Sequence, residues 1–216
     1  MMNLFKYDLW LFDCDGVILQ SNQIKSQAMY QVALHFSDEQ TASTFQQYHQ
    51  KNAGVTRFIK FKYLFETLLA QNHFEDNYQL ALTMFGELCV EKLIESSLTK
   101  DAVLFLNNIN QAFPKIIISA GTQIELQHIF SEKGLDHLFS QINGGPRTKF
   151  EIFTDVLAQY PNATPLYFGD AEADYIVAKQ YNIDFVFVSG YSEFSGWKDF
   201  FKDKKQVKII NDFSEL

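Results

Sequence analysis

The chain has 216 residues, 47% of them apolar and 20% charged, a balance that excludes a disordered polymer and allows one sizeable core with an accessory element. Acidic residues outnumber basic ones by 26 to 18, for a net charge of −8, and there is no concentrated Lys/Arg run, which argues against nucleic acid or another polyanion as partner. Cys14 and Cys89 form no CxxC pair, so neither a disulfide framework nor a zinc site is indicated.

The N-terminal residues lack the apolar stretch of a signal peptide, and no later run approaches the ~18 apolar residues of a membrane span. The expectation is a cytoplasmic protein without a membrane partner. Residues 7–12 read as a buried first strand that ends abruptly in Asp13-Cys14-Asp15-Gly16. Two carboxylates and a glycine at a strand end suit the ligand crevice of an open α/β sheet; the plainer reading is a strand followed by a turn, because Asp and Gly are ordinary turn residues. From 22 to 97 the spacing is helical throughout and proline is absent, predicting helices over 23–36, 38–50, 56–70 and 78–96. Ser37 with Gln40 fits a capping box, and Phe58, Phe61, Phe65 and Leu68 recur at three- and four-residue steps as one apolar face.

Beyond Thr99 helix and strand alternate. A helix over 101–113 leads to a strand over 115–119. Thr122 with Glu125 predicts a capped helix ending at Gly134, and a weak strand follows at 139–142. Thr148 with Glu151 opens a helix to Tyr160; then come a strand at 165–170, a helix to Tyr181, and short strands at 185–188 and 207–210. This pattern predicts an α/β fold, a doubly wound, mostly parallel Rossmann-like sheet, with an α-helical cap domain. Residues 1–19 and 98–216 would form the core and 20–97 the cap.

Three strands end in polar residues: Phe12-Asp13, Ile118-Ser119 and Phe168-Gly169-Asp170. In a parallel sheet these ends share one edge. Asp13, Asp15, Asp170 and nearby Asp174 would then crowd several negative charges together, which requires protonation or a bound cation; an all-oxygen cluster suits Mg²⁺. Lys149, at the first helical position after Thr148, would bring a positive charge to the same place, and serine and lysine beside a metal make a phosphate pocket.

These segments match, in order, the four motifs of the haloacid dehalogenase-like (HAD) phosphohydrolase superfamily, and the chain resembles its branch with a helical cap after the first strand, the phosphoglycolate phosphatase and β-phosphoglucomutase-like group. The motifs are Asp13-Cys14-Asp15-Gly16-Val17, Ser119, Lys149, and Gly169-Asp170 with Asp174. The resemblance implies Asp13 as nucleophile and Asp15 as general acid, then general base. It implies Mg²⁺ held by Asp13, the Asp15 carbonyl and Asp170, with Ser119 and Lys149 binding the phosphoryl oxygens and Asp174 in the metal's outer shell or paired with Lys149. An acid at Asp15 favours phosphate esters, since relatives that cleave carbon–halogen bonds or phosphonates lack one there.

Two departures stand out. The third motif usually reads Gly-Lys-Pro, but here Lys149 follows the proline in Gly145-Pro146-Arg147-Thr148-Lys149, which makes Arg147 a rival for the phosphate. Gln20 stands where relatives often carry aspartate, while Ser21 or Asn22 can still cap the next helix. Gly54-Val55-Thr56-Arg57 is similar to the cap segment of sugar-phosphate mutases and phosphatases. Arg57 and Lys60, three apart, would present two charges together or form a solvated basic face. With Ser119, Ala120, Gly121 and Arg147 they are the candidate substrate contacts. The expected function is Mg²⁺-dependent hydrolysis of a small phosphomonoester, a sugar phosphate among the options, through an aspartyl-phosphate. The alternatives are a phosphosugar mutase, a receiver-like signalling domain and a binding protein; the oligomeric state stays open.

Overall fold

A computed structural model describes residues 3–216 of the chain. Its strands are β1 (Leu9–Phe12), β2 (Lys115–Thr122), β3 (Gln141–Gly145), β4 (Pro165–Gly169), β5 (Asp184–Val188) and β6 (Lys208–Ile210). All pair in parallel, in the order β3-β2-β1-β4-β5-β6. β1 is therefore central, and the strand order reverses around it. Phe12 is in register with Ile117 on one side and Phe168 on the other, so Asp13 leaves the sheet between the ends of β2 and β4.

Successive β1 residues feed opposite cores, as the two-residue period of a strand requires. Trp10 and Phe12 pack on one face with Phe105, Phe168 and Phe213; the Phe12 and Phe168 rings stack at 5.0 Å. Leu9 and Leu11 pack on the other face with Phe153, Tyr167, Phe185 and Phe187. Helices α5 (Ala102–Asn108) and α6 (Gln123–Glu132) cover the first face; α7 (Lys149–Gln159), α8 (Glu172–Gln180) and α9 (Trp197–Phe201) cover the second. Each such fully buried aromatic contributes about 1.5–3 kcal/mol.

Between β1 and α5 the chain forms α1 (Asn22–Phe36), α2 (Glu39–Lys51), α3 (Arg57–Tyr63) and α4 (Glu75–Glu95). Val32, Phe45, Phe61, Phe65, Phe85 and Cys89 form their shared interior, which is continuous with the first sheet core. The two passages joining this helical segment to the sheet run side by side: Gln20 N–H donates to the Ser97 carbonyl (2.9 Å), Thr99 N–H to that of Ile18 (2.9 Å), and Gln20 Nε2 to that of Leu98 (2.8 Å). None of the helices among the described residues is long and apolar enough to cross a membrane.

Several local expectations are corrected. Asp38, not Ser37, caps α2 by accepting from Thr41 N–H, while the Ser37 hydroxyl donates back to the Ala33 carbonyl. The third predicted helix changes at Leu64–Leu68 into a π-helical turn that keeps Phe65 buried. α4 begins earlier than expected, α5 is shorter, and β3 lies later, at Gln141–Gly145. The Thr148/Glu151 capping box forms as expected. The Thr122/Glu125 one does not, because Glu125 is taken by Arg57, 68 residues away in sequence.

Candidate active site

Every parallel strand ends at the same sheet edge, and there the chain gathers its acids. Asp13, Asp170 and Asp174 are buried, and each places a carboxylate oxygen within 4.8 Å of the others. Gly16 is held at φ +69°, and a Cβ there would lie 2.3 Å from Asp170 Oδ2. The glycine thus serves both the turn and the close approach.

Lys149, at the start of α7, reaches back between two of these acids, with its ammonium 2.9 Å from Asp13 Oδ1 and 2.5 Å from Asp174 Oδ1. Asp174 is saturated: Oδ1 also accepts from the Tyr167 hydroxyl (2.7 Å), and Oδ2 accepts from the N–H groups of Asp170 and Ala171 (3.1 Å each). Asp170 Oδ2 accepts from Asn22 Nδ2 (2.7 Å) at the start of α1. Burial pushes the Asp13 carboxyl up to about 7, and neighbouring Asp174 and Asp15 add to this against the opposing pull of Lys149. Burial, with Asp13 and Asp174 nearby, pushes Asp170 well above the ordinary carboxylate range. The Lys149 ammonium is held charged because its two carboxylate partners outweigh its burial.

Asp15 belongs to a different network. Ser21 Oγ donates to its Oδ1 and Lys25 Nζ to its Oδ2, both at 2.5 Å. Burial alone would raise this carboxyl, but the Lys25 ammonium outweighs it and holds Asp15 below its usual range. Ser21 and Asn22, expected only as helix caps, thus reach Asp15 and Asp170. Sequence reasoning missed Lys25 altogether; its position one helical turn after Ser21 was the available signal.

A cavity of about 50 Å³ lies between sheet edge and helical segment, lined by Asp13, Asp15, Asp170, Ala120, Gly121, Lys25, His49, Arg57, Lys60 and Glu193, among others. The β2–β3 register shifts between Ile118 and Thr122, and this bulge brings Ala120 and Gly121 to the cavity. Ser119 is fully buried beside it, and its Oγ accepts from Gly121 N–H (3.1 Å). Gly54, at φ +82°, brings the α2–α3 loop down so that an added Cβ would stand 3.0 Å from Ala173 and 3.9 Å from Lys149 Nζ.

The other candidate cations divide. Arg147 does not reach the cavity: its guanidinium pairs at the surface with Asp155 (2.8 Å) and Asn143 (3.3 Å), so the ammonium beside Asp13 belongs to Lys149 alone. Arg57 lines the cavity but is committed to Glu125 through a two-pronged ion pair and lies over the Phe85 ring at 4.4 Å, so it and Lys60 do not present two free charges. Lys60 is 2% exposed and donates to His49 Nδ1 (3.0 Å) and, more weakly, to the His49 carbonyl (3.4 Å).

Burial pushes Lys60 down to about 7 from an ordinary 10.5; Lys25 and Lys149 push the same way, while Asp15 and Glu193 oppose. A lysine lowered in the folded state penalises folding fully below about pH 7, and the penalty fades as pH rises toward 10.5. Lys60→Met is therefore expected to raise the melting temperature of the ligand-free protein by at least about 3 °C at pH 6 and by less at pH 9. Thermal unfolding of both proteins at the two pH values checks this; a larger gain at pH 9 contradicts the argument.

The family model of the haloacid dehalogenase-like hydrolases matches residues 7–182, a span that contains all of these acids and Lys149. The chain belongs to this family. Solved HAD-like structures share its fold along almost the whole length. A predicted phosphoglycolate phosphatase from Haemophilus somnus is 18% identical, with a TM-score of 0.75 and coverage of 99% of this chain and 97% of the other. A predicted phosphatase from Clostridium acetobutylicum is 18% identical, with a TM-score of 0.74 over 97% and 95%. A β-phosphoglucomutase from Clostridium difficile is 15% identical, with a TM-score of 0.73 over 97% and 93%. No curated protein sequence matches the chain.

Proposed function

We propose that this HAD-like hydrolase is a Mg²⁺-dependent phosphatase of small phosphomonoesters, with a core of residues 1–19 and 98–216 and a substrate-selecting cap of residues 20–97. The observation that carries the reading is the convergence of Asp13, Asp170 and Lys149 at one sheet edge, with Asp15 facing the same cavity.

The residues suit the metal. Asp13 and Asp170 are two carboxylates raised by burial and by neighbouring acids, and Asp13 Oδ1 accepts no aligned hydrogen bond, so a dication would add positive charge that the single Lys149 ammonium does not supply to both. Asp13, Asp170 and the Asp15 carbonyl would hold Mg²⁺, whose bound chemistry is to neutralise phosphoryl charge. Asp174, with four donors already on its oxygens, instead anchors Lys149.

An Asp13 oxygen attacks phosphorus as the bond from phosphorus to the ester oxygen breaks, and Asp15 gives that oxygen its proton. The alcohol leaves and phosphate remains on Asp13. Asp15, now ionised, takes a proton from water, whose oxygen attacks phosphorus, releasing inorganic phosphate and restoring Asp13. Lys149 and Ser119 offset charge on the phosphoryl oxygens. Lys25 favours the ionised form of Asp15, so the acid step is the more demanding of its two tasks.

Purified protein with Mg²⁺ is expected to release phosphate from an aryl phosphate or a sugar-phosphate panel, to lose this activity by more than about 10²-fold under chelation, and to regain it on Mg²⁺ addition. Undiminished turnover in chelator removes the metal from the proposal. Isomerised sugar phosphate without phosphate release replaces hydrolysis by mutase chemistry.

A further inference from the structure

Tyr167 is the one polar side chain that β4 turns into the second sheet core. Its ring is fully buried, edge-on to Phe153 (4.9 Å between centroids) and tilted against Phe185 (5.7 Å), and a phenylalanine would pack in the same way. The hydroxyl therefore needs its own explanation. It donates to Asp174 Oδ1 (2.7 Å) and accepts from the Lys149 ammonium (3.3 Å), and it has no other hydrogen-bond partner among the described residues. A buried phenol of this kind is kept for its polar end.

Asp174 does not depend on this hydroxyl. Its Oδ2 accepts from two backbone N–H groups and its Oδ1 from Lys149, so loss of the phenol strands no carboxylate. Lys149 is the partner that gains. Lysine carries three rotatable donors on a flexible four-carbon stem, and a contact to Asp174 alone leaves its ammonium free to swing around Oδ1. The contact to Asp13 Oδ1 (2.9 Å) is not aligned as a hydrogen bond, and it is made to the group that changes charge and partners during phosphoryl transfer. The phenol oxygen supplies the fixed second point. Lys149 Nζ, Tyr167 Oη and Asp174 Oδ1 form a closed triangle with sides of 2.5, 2.7 and 3.3 Å, which leaves the third ammonium N–H for the Asp13 side of the site. A misplacement of about 1 Å in a group that orients or offsets charge costs up to about 10²-fold in rate.

We propose that Tyr167 is a positioning residue for the phosphoryl-binding ammonium: its hydroxyl closes the triangle with Asp174 and so fixes Lys149 beside Asp13. This rests on the phosphatase reading for the presence of a phosphoryl group at Asp13. Tyr167 does not line the cavity and acts only through Lys149.

Tyr167→Phe removes the hydroxyl and keeps the ring. With Mg²⁺, its kcat is expected to fall about 10-fold on every ester that the wild type hydrolyses, with KM within about twofold, because the displaced group faces the part common to all of them. Its melting temperature is expected to stay within about 3 °C of wild type. Calorimetric titration with orthovanadate, which takes the five-coordinate geometry of phosphoryl transfer, is expected to show a loss of affinity similar to the loss in kcat, and titration with inorganic phosphate a loss below about threefold. A kcat within twofold of wild type overturns the proposal. So does a collapsed melting temperature, which makes the hydroxyl a structural group. If the wild type hydrolyses no ester, the phosphatase reading falls, while weaker vanadate binding by Tyr167→Phe sustains the ordering of Lys149. Equal vanadate binding by the two proteins overturns the proposal whatever the turnover.

Discussion

Asp13→Asn is expected to lower phosphate release by roughly 10⁶-fold, the scale typical of removing a covalent nucleophile, while the fold survives. The amide keeps the shape of the side chain but cannot attack phosphorus or accept the phosphoryl group. It also removes one negative charge from a cluster in which burial, with Asp174 and Asp15, already pushes Asp13 up to about 7. The melting temperature without metal is therefore expected to be equal to or above that of the wild type. A phosphate-release assay with Mg²⁺ and a thermal melt decide the matter together. Turnover within tenfold of wild type means that Asp13 is not the nucleophile, and inactivity with a collapsed melting temperature points to structure instead.

Lys149→Met is expected to have the largest effect on stability. Lys149 is 5% exposed, and its ammonium stands within 2.9 Å of both Asp13 and Asp174. Methionine preserves length and packing but leaves two buried carboxylates without their shared cation, beside Asp170. Removing one partner of a buried pair costs about 3–5 kcal/mol. The sign with pH follows from the direction of the shifts: Asp13 and Asp170 are raised in the folded state, so the folded protein holds protons that the unfolded chain has lost, and the variant's deficit should shrink from pH 7.5 to pH 5.5. Mg²⁺ should recover part of the deficit by binding the folded state only. Urea unfolding at both pH values, with and without Mg²⁺, measures this. A variant as stable as wild type at pH 7.5 shows that Lys149 does not hold the acids together.

The strand ends were legible because each is a local event: an apolar run that stops at Asp13, Ser119 or Asp170 carries its meaning within six residues. The parallel order then brings them to one edge. The Thr148/Glu151 cap was legible for the same reason, since both partners lie in one turn. Thr122 and Glu125 have identical spacing, yet the cap does not form because a guanidinium from α3 offers Glu125 a charge-assisted, two-pronged bond stronger than a backbone N–H. The pattern had no way to register a competitor 68 residues upstream. Ser21 and Asn22 read as helix caps for the converse reason: their actual partners are acids on the sheet edge, one of them 148 residues away. Lys60 was placed on a basic face by its spacing from Arg57. Only the packing of α3 reveals that one of the two charges is neutralised and the other is not.

The hydrogen-bonded passages at Gln20 and Leu98 carry a consequence for modular exchange. Both ends of the helical segment leave through one narrow ribbon, so the segment is a graft with adjacent ends, and a splice of a few residues across Leu19 and Leu98 would restore a continuous β1–α5 connection. Different helical segments can therefore be fitted to the same sheet edge without altering sheet register. The ribbon is also the shortest covalent path from α1 to Gly16, whose N–H donates to the Leu19 carbonyl at 2.8 Å. A transplanted segment that starts after Leu19 leaves that backbone bond, and with it the turn that carries Asp15, in place.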